Sequence, residues 1–124
     1  MDKLFKSIHH VSLIISSLEK SSWFYCEVLG LETDKQRPTL SSEGLWLKIN
    51  EQQQLHLLLV EDPYKHAERP EHPGRDRHLA LKVTDLSKLV MRLNEHKIAY
   101  TMSKSGRQAL FCRDPDNNVL EIQE

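Results

Sequence analysis

The sequence predicts an α+β fold built from two copies of one unit, in which a strand is followed by a helix and then by three strands. Three observations predict it. A strand-like segment followed by a helix-capping pattern occurs near the start of the chain and again near its middle. Aligning His10 with His78 also aligns Val11 with Leu79 and Ser16 with Thr84. A stretch rich in proline and charge, about residues 62–76, separates the two copies.

The first copy covers about residues 7–61. Residues 7–15 alternate and are rich in β-branched side chains, which predicts a strand. The segment 16–19 matches a capping box, and apolar residues at helical spacing continue to Gly30, where the helix is expected to end. Three further strands are predicted, over 31–37, 45–50 and 54–61, the last two forming a hairpin.

The second copy covers about residues 77–123 and repeats this order. A strand is predicted over 78–83, and Thr84 or Asp85 would cap the helix that follows. Three short strands are predicted over 98–102, 108–113 and 119–123, with a strong turn signal between the last two. The 124 residues suit a single domain, 1–124, made of the two modules and their connecting loop.

The composition excludes several classes of partner. Seventeen basic residues against eighteen acidic ones give a net charge of −1, which offers no electrostatic footprint for nucleic acid. No apolar run is long enough to span a membrane, and no signal peptide is expected at the N-terminus. With only two cysteines, a cytoplasmic protein is expected. The unusual count is that of histidine, of which there are seven.

Alternation along the strands places four metal-binding side chains on the faces turned away from the helices. In the first strand, Val11 and Leu13 would face the helix and His10 would point away from it. The same reasoning at repeat-equivalent positions gives the full set, His10, His56, His78 and Glu121. Three imidazoles and a carboxylate suit Zn, Ni, Co, Mn or Fe. The sequence therefore predicts one divalent transition metal per site, near the axis relating the copies.

Three segments of the chain resemble a known family. They are residues 8–11 (IHHV), 24–31 (FYCEVLGL) and 113–121 (RDPDNNVLE). Together they resemble the vicinal oxygen chelate superfamily, which includes glyoxalase I, methylmalonyl-CoA epimerase, extradiol dioxygenases, fosfomycin-resistance enzymes and metal-free bleomycin-binding proteins. The resemblance covers essentially the whole chain. It implies that the two βαβββ modules form a curved mixed sheet around a central cleft.

The resemblance also assigns roles to the four candidate ligands. His10, His78 and Glu121 match the family's first, third and fourth ligand positions. His56 matches the second, where glyoxalase I has Glu and the epimerase has Gln, so histidine there departs from the glyoxalase I pattern. The family metal binds two vicinal oxygens of a small-molecule substrate as a Lewis acid, with Glu121 and His56 as the candidates for proton transfer. The family pattern also implies a homodimer in which each site is shared between chains.

Four further residues are candidates for substrate contact. Ser12 and Lys82 share the ligand-bearing faces, Arg113 would meet an anionic group, and Trp46 would line the cavity. Three functions stay open. The first is a metal-dependent lyase or isomerase of the glyoxalase type. The second is an Fe(II) dioxygenase using two histidines and one carboxylate. The third is a metal-free protein that binds or sequesters a small molecule, which the filled ligand positions disfavour.

Overall fold

The structure is a computed structural model that describes residues 1–124, and its strands form two four-stranded sheets. The strands are β1 (His10–Ile15), β2 (Glu32–Thr33), β3 (Gly44–Lys48), β4 (Gln54–Leu59), β5 (His78–Lys82), β6 (Tyr100–Met102), β7 (Ala109–Arg113) and β8 (Val119–Gln123). The helices are α1 (Leu18–Ser22), which continues as a π-helix over Trp23–Val28, a 3₁₀ turn at Pro73–Arg75, and α2 (Leu86–Glu95). None of these helices is long and apolar enough to cross a membrane.

The two sheets have the same topology. The first has the strand order β1-β4-β3-β2 and the second the order β5-β8-β7-β6. In each sheet the first strand pairs in parallel with the fourth, and the other pairs are antiparallel. The predicted α+β class with two βαβββ modules is confirmed.

The two modules share one hydrophobic core. Its 14 buried residues come from both helical segments and from both sheets, among them Phe24, Leu55, Leu93 and Leu120. Along β4 and β8 the core residues alternate with His56 and Glu121, as a period of two requires. Burial of each such aliphatic or aromatic side chain stabilises the folded state by roughly 1.5–3 kcal/mol. The shared core fixes how the strands that carry the candidate ligands lie in each module.

The predicted turn at residues 114–118 joins the two modules. Tyr25 in the π-helix donates its hydroxyl to Asp114 Oδ2 at 2.7 Å, and Asn118 Nδ2 donates to the carbonyl of Ile14 at 3.0 Å. The Ser16 hydroxyl and backbone N–H both bond the Asp116 carboxylate. Burial raises the pKa of the Asp114 carboxyl, although hydrogen bonds from Asn118 and Tyr25 act in the opposite direction.

Several predicted strand bounds and the type of one helical segment differ from the structure. The first strand begins at His10 rather than at residue 7, and the predicted strand 31–37 is reduced to Glu32–Thr33. Asp34 Oδ1 accepts from the N–H of Gln36 at 2.9 Å, and this local turn ends the ladder. The predicted first helix ends near Gly30 (φ 80°) as expected, but its second half is π-helical.

Gly44 is expected to be intolerant of a side chain. A Cβ at this position would collide with the backbone oxygen of Leu57 on the neighbouring strand, which cannot move without breaking the ladder. We expect Gly44→Ala to lower the free energy of unfolding by about 2 kcal/mol, measured by urea denaturation. Ser41→Ala, at an exposed position just before β3, is the matched control. Equal stability of the two variants would contradict the predicted collision.

Candidate metal and substrate site

His10, His56 and Trp46 form a stack of three rings on the first sheet. Trp46 on β3 is paired with His56 on β4, and their rings lie 4.4 Å apart at an angle of 6°. The His10 ring covers the other face of His56, at 3.9 Å and 14°. His56 is buried, whereas His10 is exposed. We call these three residues the aromatic stack.

A chain of hydrogen bonds sets the tautomer of His56. Gln54 Nε2 lies 2.7 Å from Asp34 Oδ2, and Gln54 Oε1 lies 2.8 Å from His56 Nε2. Because a carboxylate only accepts, the Gln54 amide nitrogen must face Asp34 and its oxygen must face the imidazole. His56 therefore donates from Nε2, and Nδ1 keeps its lone pair. That lone pair is available to a metal ion or a proton.

Burial and neighbouring charge keep His56 neutral. Desolvation is the largest cause, and His10, His9 and Arg37 add positive charge nearby, so the pKa of His56 falls to about 4. Asp34 opposes this shift only weakly. A neutral imidazole at neutral pH is the form that binds metals.

We expect the His56 imidazole to titrate with a midpoint near pH 4. An unperturbed histidine titrates near pH 6.5, so the unfolded chain takes up this proton at higher pH than the folded chain. Stability should therefore fall as the pH drops through that interval. The test is a pH titration of the imidazole ¹H and ¹⁵N signals, assigned with His56→Gln. A midpoint above pH 6 would contradict the assigned environment.

His9 lies outside the predicted ligand set but contacts His10, which belongs to it. Its Nδ1 lies 2.8 Å from Nδ1 of His10, so one of the two rings donates and the other accepts. The rings meet edge to face at 5.1 Å. His9 therefore orients His10 from outside the strand.

The second sheet carries His78 and Glu121. His78 Nδ1 donates to the carbonyl of Asp76 at 2.8 Å, which leaves Nε2 with its lone pair. Glu121 lies opposite Ala80 and is buried; its carboxylate accepts from Arg107 at 3.2 Å and from Gln123 at 3.1 Å. Both side chains thus carry supporting hydrogen bonds of their own.

The four predicted ligands are not gathered within one chain. His10 and His56 lie together on the first sheet, and His78 and Glu121 lie on the second. No group of three or more His, Cys, Asp or Glu side chains is placed to hold a metal ion. One chain therefore presents the predicted set as two separate pairs.

The structure separates the four candidate substrate contacts. Trp46 is in the aromatic stack, Ser12 lies exposed opposite His56, and Lys82 is exposed at the end of β5. Arg113 is engaged by the chain itself: it donates to Asp76 Oδ2 at 2.9 Å and to the carbonyl of Pro70 at 3.0 Å. Its charge is already matched by Asp76, and its contact with an anionic substrate group stays a prediction.

A family model decides the classification. The model of the Glyoxalase/Bleomycin resistance protein/Dioxygenase superfamily matches residues 7–122. This chain belongs to that superfamily. The resemblance inferred from the sequence is confirmed.

Individual relatives agree with this assignment. The chain is 37% identical over 127 residues to "Uncharacterized protein YwkD" of Bacillus subtilis, covering 98% of each. It is 30% identical over 121 residues to "Glyoxylase I 4" of Arabidopsis thaliana, covering 94% of this chain and 69% of that one. A solved glyoxalase family protein from Bacillus anthracis shares the fold with a TM-score of 0.75 at 19% identity, covering 98% and 97% of the two chains.

Members of this superfamily typically use a divalent metal, and the chemical types of the candidate donors suit one. His56 and His78 each have one ring nitrogen held by a hydrogen bond and the other unengaged. Such bonds are typical of metal-binding histidines, since they fix the tautomer and the ring orientation. Glu121 adds a buried carboxylate.

Sequence reasoning missed the residues that support these side chains, namely Asp34, Gln54, Asp76, Arg107 and His9. Gln54 could have been found, because it lies two residues before His56 and on the same strand face. Asp34 and Arg107 lie in loops, where no periodicity indicates which way a side chain points.

Proposed function

We propose that this protein is a metal-dependent enzyme of the glyoxalase type, a lyase or isomerase acting on a small oxygen-rich substrate. The observation that carries the proposal is that two of the candidate ligands are oriented by hydrogen bonds. One such bond fixes the tautomer of His56 and another that of His78, and each imidazole keeps one ring nitrogen without a partner. When bound, the metal would supply Lewis-acid stabilisation of an enolate or oxyanion on a substrate with two vicinal oxygens.

A second copy of the chain would complete each site. One protomer would contribute His10 and His56 and its partner would contribute His78 and Glu121, so that a dimer with two-fold symmetry holds two equivalent sites. The separation of these residues into two pairs within one chain supports this arrangement.

Glu121 is the candidate base of the proposed reaction. Its buried carboxylate, hydrogen-bonded to Arg107 and Gln123, would take a proton from the substrate carbon and return it. His56 Nδ1 is the second group able to accept a proton. Ser12 and Lys82 would donate hydrogen bonds to substrate oxygens, and Trp46 would shield one side of the site from water.

Metal content tests the proposal directly. Protein purified without chelators is expected to carry, or to take up from Ni, Co, Zn, Mn or Fe(II) salts, about one ion per chain. Less than about a tenth of an equivalent with every metal would contradict it. For the loaded protein, solvent deuterium incorporated into a 2-oxoaldehyde–thiol adduct would support proton-transfer chemistry. O₂ consumption with a catechol would favour the dioxygenase instead.

A second candidate function is metal-free binding of a small molecule. The aromatic stack favours it, because a planar ligand could extend a stack of rings already held at 3.9 and 4.4 Å. Saturable quenching of Trp46 fluorescence by a planar aromatic compound, unaffected by a chelator and without metal uptake, would favour this candidate.

A further inference from the structure

The structure assigns to Arg37 the binding of an anionic group, a carboxylate or a phosphate, on the molecule that occupies the site beside the aromatic stack. This inference rests on the proposed function for the location of the site. It extends that function by naming a substrate class: a small molecule that carries an anionic group besides its two vicinal oxygens.

Arg37 lies beside the first sheet and close to the aromatic stack. Its Nη2 donates to the carbonyl of Ser42 at 2.9 Å and lies 3.2 Å from the point where a Cβ of Gly44 would be. Gly44 precedes Trp46 by two positions on β3. The missing side chain at Gly44 thus leaves the space in which the Arg37 guanidinium sits.

Arg37 has no counter-ion in the chain. The three salt bridges of the protein use Arg69, Arg107 and Arg113, and none of them includes Arg37. Its Nε is buried and has no hydrogen-bond partner. A buried donor without a partner costs roughly 1–3 kcal/mol, and more when it is charged. An oxyanion bound to the terminal nitrogens would supply the missing counter-charge, because arginine is well suited to carboxylate and phosphate partners.

The charges around Arg37 favour an anion. Arg37 is always protonated, and its Nη2 lies beside Gly44, two residues before Trp46 on β3. Asp34 accepts hydrogen bonds from Gln54 and from the backbone of Gln36 and forms no salt bridge with Arg37. The aromatic stack is therefore bordered by one permanent cation, Arg37, which has no counter-ion in the chain.

Inorganic phosphate is the probe for a direct test on metal-free protein. The indole N–H signal of Trp46, assigned with Trp46→Phe, would be followed in ¹H–¹⁵N spectra during the titration. We expect saturable shifts in the wild type, roughly tenfold weaker binding in Arg37→Gln, and partial recovery in Arg37→Lys. Arg92→Gln, which removes an exposed guanidinium from α2, should change the affinity less than about twofold.

Equal phosphate affinity in the wild type and Arg37→Gln would overturn the inference, as would the absence of any shift at Trp46. The backbone spectra of the same samples show whether each variant is folded. If Arg37→Gln is not folded, Arg37→Lys still tests the inference. It keeps the positive charge but changes its geometry, so it should bind phosphate with intermediate affinity.

Metal-loaded protein separates this inference from the proposed function. Lactate and malate share a hydroxyl–carboxylate pair able to chelate a metal, and malate carries a second carboxylate. We expect malate to bind at least about fivefold tighter than lactate, a preference lost in Arg37→Gln and kept in Arg92→Gln. A preference that survives in Arg37→Gln overturns the role of Arg37, whereas protein that binds no metal overturns the proposed function while the phosphate result still stands.

Discussion

Two variants that each fail to bind metal are expected to regain binding when their chains are mixed. The first is His10→Ala/His56→Ala, which removes the pair on the first sheet, and the second is His78→Ala/Glu121→Ala, which removes the pair on the second. If each site takes one pair from each chain, neither variant alone has a complete site. A mixed dimer places the intact first module of one chain against the intact second module of the other.

The amount of metal binding that the mixture should recover can be calculated. Random re-association would make half of the dimers mixed, each with one intact site of two, so that about one metal ion binds per four chains. The measurement is metal content after mild unfolding and refolding of an equimolar mixture, with each variant refolded alone as the control. Recovery near zero would place complete sites within single chains, and full binding by either variant alone would show that the ligand set is wrong.

Single substitutions are expected to rank the ligands. Glu121→Ala and His10→Ala should each abolish metal binding, measured by competition with a coloured chelator, because each removes a donor that no neighbour replaces. His56→Ala should weaken binding if Nδ1 is a donor. Undiminished affinity in His56→Ala would restrict the set to His10, His78 and Glu121. Arg92→Gln serves as the control, since Arg92 is an exposed residue of α2 outside the candidate site.

The repeat and the faces of the strands could be predicted because both depend on local periodicity. A β-strand repeats every two residues, so apolar Leu55 and Leu57 in the core require that His56 points away from it. The same rule places Glu121 between the buried residues Leu120 and Ile122. These positions need only the sequence and the pattern of burial.

The partners of the candidate ligands could not be predicted in the same way. Asp34 and Gln54 are far apart along the chain and meet because the turn after β2 brings the carboxylate back to β4. Arg113 lies at the end of a strand, as the sequence predicts. It nevertheless forms a salt bridge with Asp76 of the connecting loop, which the sequence pattern does not indicate. Such long-range pairs depend on the conformation of loops. Because loops have no regular sequence periodicity, these contacts could not be predicted from the sequence.

Asp76 holds the connecting loop on the second module, and we expect its loss to be strongly destabilising. Its Oδ2 accepts from Arg69 Nε at 2.7 Å and from Arg113 Nη1 at 2.9 Å, while its side chain is only 4% exposed. Burial alone would raise the pKa of this carboxyl, but the hydrogen bonds from Arg113 and Arg69 outweigh it and lower the pKa. Both arginines are largely covered, so they would be left with poorly solvated charges.

Asp76→Ala is therefore expected to lower the free energy of unfolding by about 3 kcal/mol at pH 7, measured by urea denaturation. Glu68→Ala, an exposed position in the same loop, is the control and should change it by less than about 0.5 kcal/mol.

Because the folded pKa of Asp76 is depressed, its contribution is present above about pH 4 and is lost as the pH falls through the folded value. The difference between wild type and Asp76→Asn should accordingly shrink below pH 4. A difference that is small at pH 7, or that grows in acid, would contradict a stabilising ion pair at Asp76. The contact with His78 Nδ1 is made by the backbone carbonyl of Asp76, so Asp76→Ala and Asp76→Asn both keep it and report on the ion pairs alone.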